Sequence, residues 1–171
     1  GLGDVYKRQL VQDGLTVVLS PLIALMKDQV DALNARGIDA TFINSSLTKE
    51  ARIARYRAIE NGSYRLLYIT PERFQKSEFR RVLGGRRVTL LAIDEAHCVS
   101  QWGHDFRPDY TRVGEIREFL GCPTTLALTA TATHDVQQDI VHQLGLEEAD
   151  VQVFHDCLLY TSDAADEERG V

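Results

Sequence analysis

Asp94 and Glu95 stand side by side directly after the apolar run Leu90-Leu91-Ala92-Ile93, and His97 follows two residues later. A strand that delivers an aspartate to its open end suits a magnesium ion. That cation is hard, keeps several of its waters, and is held by one or two carboxylates together with substrate phosphates. The adjacent Glu95 is then placed to orient or deprotonate an attacking water. For an isolated Asp-Glu pair the plainer reading, an acidic cap on the following helix, is the commoner one. The next residues depart from it. Trp102 and Phe106 lie among Gln101, Gly103, His104, Asp105 and Arg107, too polar a set for a wholly buried segment. Aromatic rings displayed among polar groups can stack on nucleic-acid bases, at roughly 1–3 kcal/mol per base and with no demand on base identity. Core packing is the alternative for both rings.

These groups need a scaffold, and the chain supplies an alternation of strands and helices. Apolar runs at 15–20, 38–44, 64–70, 88–94, 124–131 and 151–154 read as six strands. Between them, Leu22, Leu25, Met26, Val30 and Leu33 recur at helical spacing up to Gly37,. Thr48 with residues 51–59, a stretch opening at Pro71 and running to residue 85, residues 109–120 and residues 133–146 read as further helices,. Strands that are apolar throughout, alternating with amphipathic helices, predict an α/β fold with a mostly parallel sheet covered on both faces. Ligands in such folds sit beyond the carboxyl ends of the strands. Ser20-Pro21, Thr70-Pro71-Glu72-Arg73, Asp94-Glu95-Ala96-His97 and Thr129-Ala130-Thr131 all fall on that edge.

Composition sets outer bounds. With 171 residues, 44% hydrophobic and 26% charged, the chain matches one globular domain with a sizeable core. No apolar run approaches the roughly 20 residues of a membrane span. Cys98, Cys122 and Cys157 are odd in number, widely spaced and lack a Cys-x-x-Cys pair, which argues against a disulfide framework or a zinc site and suits a reducing compartment. The net charge is −6, of which residues 156–171 carry −4 and residues 1–155 carry −2. A nearly neutral body can still bind a polyanion where its basic groups cluster. His134, His142 and His155 show no metal-ligand spacing,, and Arg86-Arg87 reads as a surface pair.

The stretch "AIDEAHCVSQWGHDFRPDY" resembles motif II and the aromatic-rich loop of RecQ-family DNA helicases, members of helicase superfamily two. Three further stretches follow the family's order: "VVLSPLIALMKDQV" (17–30) resembles motif Ia, "LLYITPER" (66–73) motif Ib, and "LALTATAT" (126–133) motif III. The resemblance covers about residues 10–155. It implies a RecA-like, P-loop NTPase-type fold and ATP with Mg²⁺ as cofactors. Asp94 would hold Mg²⁺ through water, Glu95 would be the catalytic base, and His97 would link the nucleotide site to the loop. Ser20, Pro21, Lys27, Gln29, Thr70, Pro71, Glu72, Arg73, Trp102, Phe106 and Arg107 would contact DNA. Hydroxyls, backbone N–H groups at helix starts and single basic residues are the usual phosphate-positioning groups. Gln101, His104, Asp105, Thr129, Ala130 and Thr131 would couple DNA to hydrolysis. Read singly, Lys27 and Arg73 are solvated surface charges, and Thr131 is equally well an N-cap for the helix starting near Thr133.

The sequence also departs from the family. Where a Gly-x-x-x-x-Gly-Lys-Ser/Thr loop should precede the first strand, it reads "GLGDVYKRQLVQDG". Arg8 follows Lys7, with no hydroxyl for the metal, so Lys7 is not a substitute. The expected organisation is an extraneous start (1–9), a partial first motor domain (10–155) and an extraneous acidic tail (156–171). The expected function is part of an ATP-dependent helicase that translocates on single-stranded DNA and unwinds duplexes in repair and recombination. The chain alone is expected to be inactive without the second RecA-like domain. Expected partners are single-stranded and duplex DNA and that second domain, with no membrane. The expected location is the bacterial cytoplasm and nucleoid, or a eukaryotic nucleus. A nucleic-acid-binding remnant without enzymatic role, or an RNA helicase domain, remains the alternative.

Overall fold

The computed structural model describes residues 14–154. Five strands form one sheet: β1 (Leu15–Leu19), β2 (Ala40–Ile43), β3 (Leu66–Ile69), β4 (Val88–Ile93) and β5 (Thr124–Ala127). Their order is β2-β3-β1-β4-β5, and every pairing is parallel. The expected start and acidic tail, with Lys7, His155 and Cys157, lie outside the described residues.

Helices cover both faces unequally. On one face α1 (Ile23–Asn34) buries Met26, Val30 and Leu33 in a cluster with Val18, Phe42, Leu66, Tyr68, Leu90 and Ala92. Each Val, Leu, Met or Phe side chain among them, fully removed from water, contributes roughly 1.5–3 kcal/mol. The opposite cluster takes the alternate strand positions Leu15, Val17, Leu19, Leu67, Ile69, Leu91 and Ile93. Four helices serve it: α2 (Lys49–Glu60), α3 (Ser77–Gly84), α4 (Val113–Phe119) and α5 (His134–Gln143). Side chains alternate across a strand, so burial on both sides explains why β1, β2 and β3 are apolar or β-branched without a polar face.

Several expected elements differ in detail. The helix expected from Pro71 is broken into a 3₁₀ turn (Pro71–Gln75) and α3, with Lys76 extended between them. The break lets Phe74 and Phe79 meet edge to face at 5.2 Å. The helix over 109–120 likewise begins as a 3₁₀ turn, Pro108–Arg112, before α4. The sixth strand expected at 151–154 does not form. A short 3₁₀ turn, Glu148–Asp150, precedes it, and Val153 and Phe154 are 55% and 82% exposed. β propensity reflects packing on a sheet more than a backbone preference, and "VQVF" finds no such surface here. The fifth strand ends at Ala127, short of the expected Thr131.

The strand order fixes where a ligand can bind. From β1 the chain crosses to β2 and β3 on one side of the sheet, then returns to β4 and β5 on the other. The connections leaving β1 and β4 therefore part in opposite directions, which opens a crevice at the carboxyl ends of these two neighbours. Ser20 closes one strand there and Asp94 the other.

Candidate functional site

Ser20 and Asp94 touch across that crevice. Asp94 N–H donates to Leu19 O at 2.8 Å, extending the ladder by one rung. Ser20 Oγ then donates to Asp94 Oδ2 at 3.2 Å, while Glu95 N–H donates to Asp94 Oδ1 at 3.1 Å. Both carboxylate oxygens are thus oriented by donors. Ser20 is buried, so its hydroxyl serves the carboxylate.

The chain turns at Glu95, which adopts a left-handed conformation with φ 50°. A non-glycine residue held there costs of order 1–3 kcal/mol and persists only where its surroundings enforce it. Here Ala96 N–H is held by Leu128 O at 2.8 Å. The turn brings Glu95 Oε2 within 3.3 Å of His97 Nδ1, which also lies 3.1 Å from Thr129 Oγ1. Thr129 Oγ1 donates to Thr131 O. A carboxylate and a hydroxyl that has spent its proton elsewhere are both acceptors, so Nδ1 is a ring nitrogen that donates. A continuous polar path therefore runs from Asp94 through Glu95 and His97 to Thr129 and Thr131.

The aromatic loop leaves the same turn. Its base is buried: His97, Cys98, Val99 and Ser100 all lie inside. Ser100 Oγ donates to Asp139 Oδ2 on α5 at 2.6 Å and accepts from Trp102 N–H at 3.1 Å. Gly103 passes so close to the His97 carbonyl that a Cβ would collide with it. The loop tip is open to water, with Trp102 78% exposed and Phe106 36% exposed. Gln101, His104 and Asp105 are exposed, and the His104 ring stacks on His97 at 4.3 Å. Asp105 Oδ2 accepts from Arg107 Nη2 at 3.2 Å and from the Cys98 thiol at 3.8 Å. Arg107 Nη1 reaches the Pro21 carbonyl at 3.4 Å, which ties the loop to the end of β1. Burial, with Asp105 adding to it, pushes the Cys98 thiol up to about 11.

The other expected residues divide between the crevice and its surroundings. Pro21 and Thr70 are buried, with Thr70 Oγ1 bonded to Glu72 Oε1. Arg73 Nε and Gln29 Oε1 are buried without a hydrogen-bond partner. Lys27 is exposed on α1 and paired with Asp31 at 2.8 Å. Ala130 and Thr131 are exposed. The cap of α5 is Thr133, whose hydroxyl accepts from Val136 N–H, so the capping alternative for Thr131 falls away. Three participants escaped the sequence reading. Asp139 reads as one polar residue on an amphipathic helix, and Cys98 as an unpaired thiol. Tyr110 is buried with its hydroxyl unpartnered. Burial, reinforced by the charges of Cys98 and Asp94, raises its ionisation well above the usual phenol range.

Comparison with known proteins identifies the family and the fold. The family model described as DEAD/DEAH box helicase matches residues 5–140. The ATP-dependent DNA helicase RecQ of Bacillus subtilis is 52% identical over 139 residues, covering 81% of this chain and 24% of that protein. The mouse ATP-dependent DNA helicase Q5 is 45% identical over 145 residues, 81% of this chain and 15% of its own length. The chain thus spans a quarter or less of these relatives. Among solved structures, the Pyrococcus furiosus Hef helicase domain superposes with a TM-score of 0.61 at 16% identity, over 85% of this chain and 31% of that one, which supports the RecA-like fold. No helix among the described residues is long and apolar enough to cross a membrane.

Proposed function

Because this chain belongs to the DEAD/DEAH box helicase family, we propose that it is the part of an ATP-dependent DNA helicase motor that links magnesium-assisted ATP hydrolysis to the presence of single-stranded DNA. The observation that carries the reading is the join between the carboxylate pair and the aromatic loop. Glu95 reaches His97 directly while its backbone N–H holds Asp94, and the loop that displays Trp102 leaves the same turn.

The donor set suits the group. Asp94 offers hard oxygens at the switch point of the sheet, oriented by Ser20 and Glu95, and would hold Mg²⁺ through water. Bound Mg²⁺ would neutralise charge on the transferring phosphates. Glu95 takes the proton of the attacking water, and His97 reports its state to Thr129 and Thr131 at the end of β5. Trp102 and Phe106 stack on bases, while Arg107, Lys27 and Arg73 meet phosphates. Thr70, Pro71 and Glu72 shape the neighbouring strand end, and Gln101, His104 and Asp105 transmit loop position to His97. Unwinding, repair and recombination roles belong to the whole protein and follow from its similarity to helicases named for DNA. An intracellular, DNA-associated location follows on the same ground.

The test is anisotropy of labelled single-stranded DNA at two salt concentrations, comparing the chain with Trp102→Ala. Salt-sensitive binding that weakens by roughly 1–3 kcal/mol on substitution places the loop on DNA. Equal binding by a folded Trp102→Ala variant removes the loop from the interface.

A further inference from the structure

We propose that His97, Cys98 and Asp105 form a binding site for a thiophilic divalent cation of the zinc type, built across the base of the aromatic loop. A ring nitrogen of His97, Cys98 Sγ and a carboxylate oxygen of Asp105 all lie within 4.8 Å of one another. The edge of a tetrahedron around zinc is about 3.5 Å, from zinc–ligand distances of about 2.0–2.3 Å. The sulfur and the Asp105 oxygen already stand 3.8 Å apart, so only a modest contraction closes the set.

The donor chemistry fits the ion. Thiolate, imidazole and carboxylate are the three side-chain ligand types that zinc takes, and three protein ligands plus water make an open tetrahedral site. Nδ1 of His97 is engaged by Glu95 and Thr129, so Nε2 is the nitrogen that would take the ion. Such outer partners orient a ligating histidine and raise its basicity. His97 and Cys98 are buried whereas Asp105 is exposed, so the ion has an entrance. Zinc takes cysteine as the thiolate, so uptake of the ion would release the Cys98 proton.

The spacing hid this site. Cys98 has no cysteine partner, and the set mixes two adjacent residues with a third beyond the loop tip. An ion there would tie the buried turn to Asp105 and enclose Trp102 between its ligands, stiffening the segment proposed to meet DNA. Binding of the ion stands apart from the DNA reading, and only its effect on DNA response rests on it.

The probe is Co²⁺, added to the full chain carrying Cys122→Ser and Cys157→Ser, so that Cys98 is the sole thiol. A thiolate-to-cobalt charge-transfer band that saturates at one ion per chain and is displaced by Zn²⁺ supports the site. Cys98→Ser should abolish the band. Asp105→Asn, at an exposed position that spares folding, should weaken Co²⁺ by at least the roughly tenfold that loss of an outer partner costs. No thiolate band in a chain shown folded by circular dichroism overturns the proposal, as does an affinity unchanged by Asp105→Asn. Titrating single-stranded DNA with and without Zn²⁺, followed by Trp102 emission, then reads the consequence separately. A DNA response unchanged by bound Zn²⁺ removes the regulatory role and leaves the site.

Discussion

Ser100 Oγ donates a 2.6 Å hydrogen bond to Asp139 Oδ2 across 39 residues of sequence. Ser100 is fully buried, and the same oxygen receives Trp102 N–H, so Asp139 gives α5 a polar hold on the base of the aromatic loop. A hydrogen bond to a charged group is worth about 1.5–3 kcal/mol. Asp139→Ala should therefore lower stability by that order and release the loop. Trp102 is the single tryptophan, so its emission anisotropy and acrylamide quenching report the release without a label. Unchanged quenching in Asp139→Ala would show that the other ties, Gly103 N–H to Ser100 O and Arg107 to the Cys98 and Pro21 carbonyls, hold the loop without it.

Glu95 offers a test of stored strain. Glu95→Gly and Glu95→Ala lose the same contact with His97 and differ in the freedom to adopt φ 50°. The left-handed conformation costs a residue with a Cβ roughly 1–2 kcal/mol, partly offset by the entropy that glycine loses on folding, about 0.5–1 kcal/mol. Glu95→Gly is expected to melt at higher urea than Glu95→Ala, by about 1 kcal/mol or less. The reverse order would mean that the turn relaxes once the carboxylate is gone.

Thr131 and Thr133 separate coupling from capping. Thr133→Ala removes the cap on α5 and should cost about 1 kcal/mol of stability. Thr131→Ala should change stability by less than about 0.5 kcal/mol, as an exposed position does. Urea unfolding of the two variants decides the point, and equal losses would contradict it.

Cys98 predicts an alkaline limit. The folded chain keeps its thiol protonated to about 11, against an ordinary value of 9.0. The folded state therefore binds the proton more tightly than the unfolded chain. The resulting stability is intact at pH 8 and falls as pH rises from about 9 towards about 11. Urea midpoints at pH 8 and 10 should differ more for the native chain than for Cys98→Ala. At pH 8, alkylation followed by peptide mass analysis should label exposed Cys122 and spare buried Cys98,.

The scaffold was legible because its signals are local. Pro71 and Thr48 mark element starts, and the unbroken apolar runs of β1, β3 and β4 announce burial on both faces. Asp94 and Glu95 declared themselves by standing at the end of such a run. What could not be read was contact across distance. Nothing in "VQQDIV" says that Asp139 rather than Gln138 faces Ser100, since one helical step separates them. The Pro71 segment kept its helical pattern through the break at Lys76 because Phe74 and Phe79 bury together either way. "VQVF" has strand-like residues and no sheet surface to receive them, and a single sequence does not show which edge is open.

The strand order carries a consequence for biosynthesis. β1, the central strand, pairs with no neighbour in sequence: Thr16 lies opposite Leu66, and Val17 opposite Leu91. Synthesised before the other four described strands, it must wait unpaired until β3 and then β4 have followed, and loop closure over such spans is slow. Its five buried apolar and β-branched residues are meanwhile open to the wrong partner. Protease pulses on stalled nascent chains of increasing length should show protection of β1 arriving only once β4 has cleared the exit tunnel.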